Sequence, residues 1–468
     1  MSLRAKPDAV VLNGLPAFAS PYGTDVELVD FLEQVSAHLC RWLSTAANRH
    51  PLPSLGCLPD IAPERFGRNA RQLLEDLDQI MDRAYQPNHP GALAHLDPPP
   101  LTASIAADLV CAGLNNNLLA EELSPSLSLL ERRLCRWFAE RLGLPQGASG
   151  VAASGGTLSN LMALVAARHA AGLQHDPNAC IVASRDAHVS LQKAVKVMGL
   201  REDALQLVGT DDQGCLDLVQ LDWLLQHLHQ QERPVLAVVA TAGTTVSGSV
   251  DPIPKMRALC DRDGLWLHVD GAIGACFALN PNTSTLVPGL KEADSVTVNP
   301  QKLFGITKTS SLLLLANPSH LKTVFGTGLP YMETSRDGEH GGEIGLQGTR
   351  AAEILKLWLG LRQLGEEGIQ HVLQSALERA SLFRHYLNDE KFMLRSGPLH
   401  IVSFRPCGLL SDQLVTWTAD TRQKLLRQGI MLSRPFYQDQ YYLKAVFGNP
   451  HTDERLIIQL AQQLLASI

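Results

Sequence analysis

The stretch Ser295-Val-Thr-Val-Asn-Pro-Gln-Lys-Leu-Phe-Gly305 predicts a short strand that leads into a reactive loop. Its β-branched residues favour a strand, and Asn299-Pro300 ends that strand and leaves Gln301 and Lys302 on the loop beyond it. In open parallel sheets this edge is where ligands bind. Lys302 is therefore a candidate Schiff-base lysine. Taken alone, such a short motif is more often an ordinary surface lysine at the end of a strand.

On both sides of this stretch, apolar strands alternate with helices. Further strands are predicted at 179–183, 234–241, 265–269 and 311–315. Helical segments, such as 158–171 and 254–262, separate them. Continuous apolar strands between helices favour an α/β fold with a mostly parallel sheet that is covered on both faces.

Three parts of the chain differ in their patterns. Near the N-terminus, Thr24-Asp-Val-Glu27 resembles a capping box before a helix with apolar residues at helical spacing, and a second helix is predicted at 62–85. Near the C-terminus, helices at 351–364 and 368–388 precede strands at 401–404 and 441–447 and a final helix. We predict a helical N-terminal arm at 1–100 that packs on another subunit or on the main body, a large domain at 101–345 and a small α+β domain at 346–468.

Composition excludes several classes of function. The 468 residues are 45% hydrophobic and carry a net charge of -7 without a long basic run, so neither nucleic acid nor an anionic membrane surface is an expected partner. No apolar run approaches the ~20 residues that span a bilayer. Nine cysteines without a CxxC pair, and His227 and His229 without matching ligands, predict no metal site. We expect a cytoplasmic protein that acts on a small molecule.

A glycine-rich turn precedes one predicted helix. In Ala152-Ala-Ser-Gly-Gly-Thr-Leu-Ser-Asn160, Gly155, Gly156 and Thr157 stand at the start of the helix, where backbone N–H groups and the helix dipole favour a phosphate. The motif is neither GxGxxG nor GxxxxGK[ST]. Glycines that only make a tight turn are the alternative.

An acid and a histidine follow two other strands. Asp270 ends the strand at 265–269, where it can pair with a protonated ring nitrogen, and Ala272 leaves room for a flat ring. The alternative is an acid that caps the next segment. His188 can lie against the same ring, although a lone histidine is more often structural. His268, inside the strand, is assigned to the core.

A phosphate cradle, a stacking ring, an acid for a ring nitrogen and an amine together are what pyridoxal 5′-phosphate needs. The motifs are SGGTLSN at 154–160, DAHVSLQKA at 186–194, TAGTTVSGSVDPI at 241–253, HVDGA at 268–272, NPQK at 299–302 and GTRAAEILKLW at 348–358. With these motifs, the stretch from about 89 to 452 resembles the group II pyridoxal-phosphate-dependent amino-acid decarboxylases. The resemblance implies the aspartate aminotransferase-like fold (fold type I) and a homodimer with the active site at its interface.

The resemblance also assigns roles to residues of the cofactor site. Lys302 would bind the cofactor covalently, Asp270 would meet its pyridine nitrogen and His188 would stack on its ring. Gly155, Gly156 and Thr157 would hold the phosphate, and Thr245 would lie near the phenolic oxygen. Cofactor binding would further involve Ala272, Asn299 and Gln301. Gln301 and Ile273 depart from the family, which usually has histidine and an aromatic residue at these positions.

The implied reaction converts an L-amino acid to its amine and carbon dioxide. By resemblance, Arg350, Lys444, His95 and Asn117 would contact the substrate. Tyr331, in the glycine-rich segment 325–342, would protonate the α-carbon; the alternative is an exposed loop aromatic. Other readings are an aminotransferase or carbon–carbon lyase that uses the same cofactor, a catalytically silent regulatory paralogue and a simple phosphate-binding module. The sequence does not determine which side chain the amino-acid substrate carries.

Overall fold

A computed structural model describes residues 11–12, 14–328, 340–387 and 390–468. The strands are β1 (Val11–Leu12), β2 (Leu15–Pro16), β3 (Ser149–Ala153), β4 (Cys180–Ser184), β5 (Leu205–Val208), β6 (Val235–Thr241), β7 (Leu267–Gly271), β8 (Ser295–Val298), β9 (Ser311–Leu315), β10 (Phe392–Arg395), β11 (Ile401–Pro406), β12 (Phe436–Tyr437), β13 (Gln440–Tyr441) and β14 (Leu443–Val446). The α-helices are α1 (Val26–Ser44), α2 (Ala70–Met81), α3 (Thr102–Leu114), α4 (Pro125–Arg141), α5 (Gly156–Ala170), α6 (Ser190–Val197), α7 (Leu218–Gln230), α8 (Ile253–Asp263), α9 (Pro281–Ser284), α10 (Ser319–Phe325), α11 (Ile354–Leu387), α12 (Ser411–Arg427) and α13 (Glu454–Leu465).

A seven-stranded sheet with the order β3-β9-β8-β7-β6-β4-β5 forms the centre of the fold. Strands β4 to β8 pair in parallel, whereas β9 runs antiparallel to both β8 and β3. The mostly parallel sheet is thus confirmed. Because parallel strands share a direction, β4, β6, β7 and β8 end at one edge, where the predicted site residues follow them.

Helices cover both faces of this sheet. Neighbouring residues of β6 alternate between the faces, so that Val238 packs in the cluster that contains Phe138 of α4, and Val239 packs in the cluster that contains Leu164 of α5. All four side chains are fully buried. Burial on both faces explains why these strands read as continuous apolar runs.

A smaller antiparallel sheet, with the order β10-β11-β14, lies near the C-terminus. Its core contains Phe383, Phe404 and Phe447, and Leu93 from the end of the predicted arm packs into it. A kink at Gly365 (φ 62°) divides α11 into two helical parts, which confirms the predicted pair of helices. The predicted end of the second helix, residue 388, lies outside the described residues.

The N-terminal helices differ from the prediction in their boundaries. The capping box at Thr24 is wrong, because Asp25 is the N-cap and makes no side-chain capping bond. Its carboxylate accepts instead from the Ser20 N–H at 2.6 Å. The predicted start of the second helix at 62 is also wrong: α2 begins at Ala70, after a capping box of Asn69 and Gln72, since a proline and a glycine interrupt the preceding segment.

None of the helices in the described part of the chain has the length and apolar character that a bilayer crossing requires.

Candidate active site

A cavity of about 290 Å³ lies at the carboxyl edge of the parallel strands. Its lining is Ser154, Gly155, Gly156, Thr157, Asn160, His188, Thr241, Gly243, Thr245, Asp270, Ala272, Ile273, Asn299, Gln301 and Lys302. Every residue predicted to bind the cofactor is therefore at this one place. Asn160, Thr241 and Gly243 also line the cavity without having been predicted to do so, although each belongs to one of the motifs SGGTLSN and TAGTTVSGSVDPI.

Lys302 follows β8 in a short 3₁₀ turn, Pro300–Lys302. Desolvation lowers the pKa of its amine, and the charge of Asp270 opposes that shift. A lowered pKa makes the neutral, nucleophilic amine easier to reach near pH 7. The side chain of Gln301 fixes the loop beyond, because its Oε1 accepts from the Ser310 N–H at 2.5 Å.

Further along, this loop is tied to two helices. Lys356 of α11 is fully buried, and its Nζ donates to the Lys308 carbonyl at 3.1 Å. Thr309 Oγ1 donates to the carboxylate of Glu353 at 2.9 Å, and Ser104 of α3 accepts from the Thr307 N–H at 2.9 Å. The segment after Lys302 is thus held in place by α3 and α11.

Asp270 lies at the end of β7 and is 6% exposed. Its Oδ1 accepts from the Ala272 N–H at 3.1 Å, and its Oδ2 accepts from the Asn160 amide at 2.8 Å. Both oxygens of the carboxylate thus accept a hydrogen bond from within the chain. Each oxygen can still accept a further bond, for example from a protonated ring nitrogen.

His188 lies on the loop between β4 and α6. Its Nδ1 faces the Ser190 N–H at 3.2 Å and must accept from it, which places the ring proton on Nε2. Burial lowers the pKa of this ring, so it is neutral near pH 7. The loop is held by Tyr437, whose hydroxyl donates to Asp186 at 2.6 Å.

The turn before α5 has the shape of an anion cradle. Gly155 has φ 127°, and a Cβ on Gly156 would lie 2.9 Å from the side-chain amide of Asn299, so this glycine keeps the backbone open. The amide of Asn299 is satisfied when its oxygen accepts from the Gly156 N–H at 3.2 Å and its nitrogen donates to the Val298 carbonyl at 3.1 Å. Asn299 thereby ties the end of β8 to the start of α5.

The residues of this cavity fit pyridoxal 5′-phosphate. The cavity offers an amine, a carboxyl group, a neutral imidazole and an N-terminal turn of a 15-residue helix. In addition, the hydroxyl of Thr241 is buried at the cavity wall without a hydrogen-bond partner among the described residues. A buried hydroxyl without a partner costs free energy, which a polar atom of a bound group would recover.

The small sheet contacts the loop that carries Thr245. Three consecutive carbonyls accept from the sheet or from the segment between β10 and β11: Thr245 from Lys444 Nζ at 3.2 Å, Val246 from Ser403 Oγ at 2.5 Å and Ser247 from the Gly397 N–H at 2.6 Å. Burial, and after it the charge of Lys302, lower the pKa of Lys444 to about 8.

The predicted substrate-contacting residues lie outside the lining. Arg350 is buried and forms a bidentate pair with Glu131, with N–O distances of 2.5 and 2.7 Å, beside an adjacent cavity of about 290 Å³. The Asn117 Oδ1 accepts from the Leu119 and Arg350 N–H groups at 2.9 and 3.2 Å. His95 is exposed, and desolvation of its ring followed by the charge of Lys444 lowers its pKa. Their roles stay predictions.

Two further predictions concern Tyr331 and Ile273. Tyr331 lies outside the described residues. Ile273, the departure from the usual aromatic, is 4% exposed and lines the cavity beside Gly243, whose Cβ, if present, would lie 2.9 Å from the Ile273 Cβ. His268 is fully buried, as assigned.

Comparison with known proteins identifies the family. Residues 54–406 match the model described as "Pyridoxal-dependent decarboxylase conserved domain". L-2,4-diaminobutyrate decarboxylase of Acinetobacter baumannii is 29% identical over 65% of this chain, and the match spans 64% of that relative. Aromatic-L-amino-acid decarboxylase of Bacillus atrophaeus is 26% identical over 87% of each chain.

Among solved structures, the crystal structure of mouse CSAD superposes with a TM-score of 0.88 over 95% of this chain and 99% of that chain, at 23% identity. The shared fold confirms the predicted fold class, the aspartate aminotransferase-like fold type I. The chain belongs to the pyridoxal-dependent decarboxylase family, which confirms the predicted cofactor, pyridoxal 5′-phosphate, and the predicted reaction, the decarboxylation of an amino acid.

Proposed function

We propose that the cavity at the edge of β6, β7 and β8 is where this protein binds pyridoxal phosphate and decarboxylates an L-amino acid. The observation that carries the proposal is the convergence of Lys302, Asp270, His188 and the Gly155–Gly156 turn on one cavity. These groups come from four separate segments of the chain and supply the four contacts that this cofactor needs.

Each residue has a defined task in this proposal. When bound, pyridoxal phosphate withdraws electrons from the substrate's α-carbon and so eases the loss of carbon dioxide. Lys302 holds the cofactor aldehyde, and Asp270 keeps the ring nitrogen protonated. The neutral ring of His188 covers one face of the cofactor, and the turn before α5 binds the phosphate.

At the substrate end, Lys444 is the cation best placed to bind the α-carboxylate. Its amine lies 3.2 Å from the Thr245 carbonyl at the cavity margin. Arg350 is neutralised by Glu131 within this chain, so we propose that it shapes the neighbouring cavity and reaches the substrate only if that pair opens. Tyr331 is proposed to donate the proton that replaces the carboxylate on the α-carbon.

We also propose a homodimer with the active site at its interface. The supporting observation is an apolar surface on the N-terminal side: α1 has no buried residue, and Val26, Leu109 and Val110 are 71%, 53% and 48% exposed. A cytoplasmic location is proposed because all nine cysteines are free thiols.

The test is incubation of the purified protein with pyridoxal phosphate and a panel of L-amino acids, with carbon dioxide and amine both measured. We expect one amino acid to give the two products in equal amounts, and we expect Lys302→Ala to lose this turnover and the imine absorbance that borohydride bleaches. A keto acid in place of carbon dioxide would instead show transamination. An imine band without turnover of any amino acid would contradict the proposal.

A further inference from the structure

The side chain of Asn160, on the first turns of α5, connects Asp270 to three other segments. Asn160 is 1% exposed. Its Nδ2 donates to Asp270 Oδ2 at 2.8 Å and to Ser190 Oγ at 2.9 Å. Its Oδ1 accepts from Thr297 Oγ1 at 2.7 Å and faces His268 Nε2 at 3.1 Å. The two donor and two acceptor positions of the amide are thus all engaged.

Residues on the far side of the amide determine which way it points. Burial lowers the pKa of His268 to about 4, so its ring is neutral near pH 7 and carries a single N–H. Ser295 Oγ accepts from Trp266 Nε1 at 2.9 Å and lies 2.8 Å from His268 Nδ1, so its own proton can point to Nδ1. The His268 proton is then on Nε2 and is donated to the Asn160 oxygen.

The opposite orientation of the amide is therefore disfavoured. If the amide were reversed, its NH₂ would face the His268 N–H, and its oxygen would face the carboxylate of Asp270, which accepts hydrogen bonds. A donor facing a donor and an acceptor facing an acceptor, in a buried site, cost more than a single lost hydrogen bond. The chain from Trp266 through Ser295 and His268 thus keeps the NH₂ directed at Asp270.

We propose that Asn160 is a positioning residue that acts through Asp270 on the ring nitrogen of the cofactor, with His268 fixing the direction of its amide. The proposal rests on the proposed pairing of Asp270 with that nitrogen. A hydrogen bond donated to Oδ2 stabilises the ionised carboxylate and fixes its plane. Without it the carboxylate is more basic, and the proton shared with the ring nitrogen moves towards Asp270, which weakens the ring's electron withdrawal.

The competing explanation is structural, since the same hydrogen bonds also join α5 to α6, β7 and β8. The two explanations differ in what the ring nitrogen contributes to cofactor affinity. A purely structural role changes the affinity for any ligand of the cavity. A role through Asp270 changes only the part of the affinity that depends on the ring nitrogen.

The experiment compares pyridoxal 5′-phosphate with the analogue in which carbon replaces the ring nitrogen. Dissociation constants of both are measured by equilibrium dialysis against the cofactor-free full-length protein, its Asn160→Leu variant and its Ser190→Ala variant. Ser190→Ala is the matched control, because it removes another partner of the same amide and leaves the bond to Asp270. Asn160→Ser gives the same comparison if the leucine variant does not fold.

We expect the unaltered protein to prefer the natural cofactor and the Asn160 variant to lose about tenfold or more of that preference. Ser190→Ala should keep it. Equal weakening of both ligands in the Asn160 variant would overturn the positioning role and leave a structural one. Absence of any preference in the unaltered protein would instead overturn the pairing of Asp270 with the ring nitrogen, so the two failures are distinguishable.

Discussion

The charge of a single buried amine, Lys444, is poised to change within the range in which an enzyme is assayed. Its side chain crosses from β14 to the Thr245 carbonyl, and its neighbour Lys302 repels a second positive charge. With the pKa lowered to about 8 by burial and by Lys302, the amine is charged below that pH and neutral above it. A residue proposed to bind a carboxylate therefore loses its charge in mildly alkaline solution.

We expect the KM for the amino-acid substrate to rise above pH 8, by up to about tenfold for each pH unit, because only the charged amine attracts the carboxylate. Lys444→Arg should remove this rise, since a guanidinium stays charged throughout the range. Steady-state kinetics from pH 6 to 10 on both proteins measure it. An identical alkaline rise in the arginine variant would show that another group causes it.

Residue types near the cofactor were predictable from the sequence, because they occur in short motifs directly after strands. What they bind was not predictable. Gln301 lines the cavity, but its motif does not reveal that its Oε1 accepts from the Ser310 N–H. The partners of Asn160 lie on α6, β7 and β8 and are up to 137 positions away in the sequence, so only the folded chain shows its four bonds.

At the level of elements, the loop between β6 and α8 depends on the small C-terminal sheet. The carbonyls of Thr245, Val246 and Ser247 all accept from that sheet or from the segment between β10 and β11. Within the loop, the hydroxyls of Thr244 and Ser249 each lie 2.8 Å from that of Ser247. The loop that presents Thr245 is thus shaped from outside the large sheet.

Ser403→Ala tests this dependence. Loss of the buried bond to the Val246 carbonyl should lower the free energy of unfolding by about 1–3 kcal/mol and weaken cofactor binding several-fold. Denaturant unfolding and cofactor titration give the two quantities. Thr418→Val is the control, because it removes a buried hydroxyl that donates to the Leu414 carbonyl of α12 and accepts from Arg434 Nε, away from the loop. Equal cofactor affinity in the two variants would contradict the claim.

Prediction of the elements was successful where apolar periodicity was strong and failed where it was weak. The buried strands β6, β7 and β8 were found within a few residues. Strand β3 was missed because its sequence, Ser-Gly-Val-Ala-Ala, is dominated by residues that do not favour strands, and its pairing with β9 is a tertiary contact. The early start assigned to α2 ignored a proline and a glycine that break the helix.

At the scale of the whole molecule, the apolar surface of the N-terminal helices stays exposed to solvent in a single chain. Helices α1 and α2 are joined by His38 and Asp78, 2.9 Å apart, and by Trp42 Nε1, which donates to the Met81 carbonyl at 2.8 Å. This pair leaves the apolar side of α1 open. Exposed apolar side chains of α3 add to the surface, which favours association of two copies about a two-fold axis.

A charge placed on this surface should separate the copies. We expect the protein to sediment as a dimer and the double variant Leu109→Glu, Val110→Glu to sediment as a monomer at micromolar concentration. In a two-fold interface both copies carry the substitutions, so four carboxylates would be buried without partners. Val219→Glu on α7, at a residue that is 79% exposed, is the matched control and should remain dimeric. Analytical ultracentrifugation measures both.

A monomeric parent protein would show that no dimer forms, and a double variant that stays dimeric would show that the interface lies elsewhere. If residues from both copies complete the active site, turnover of the double variant should also fall with dilution more steeply than that of the control.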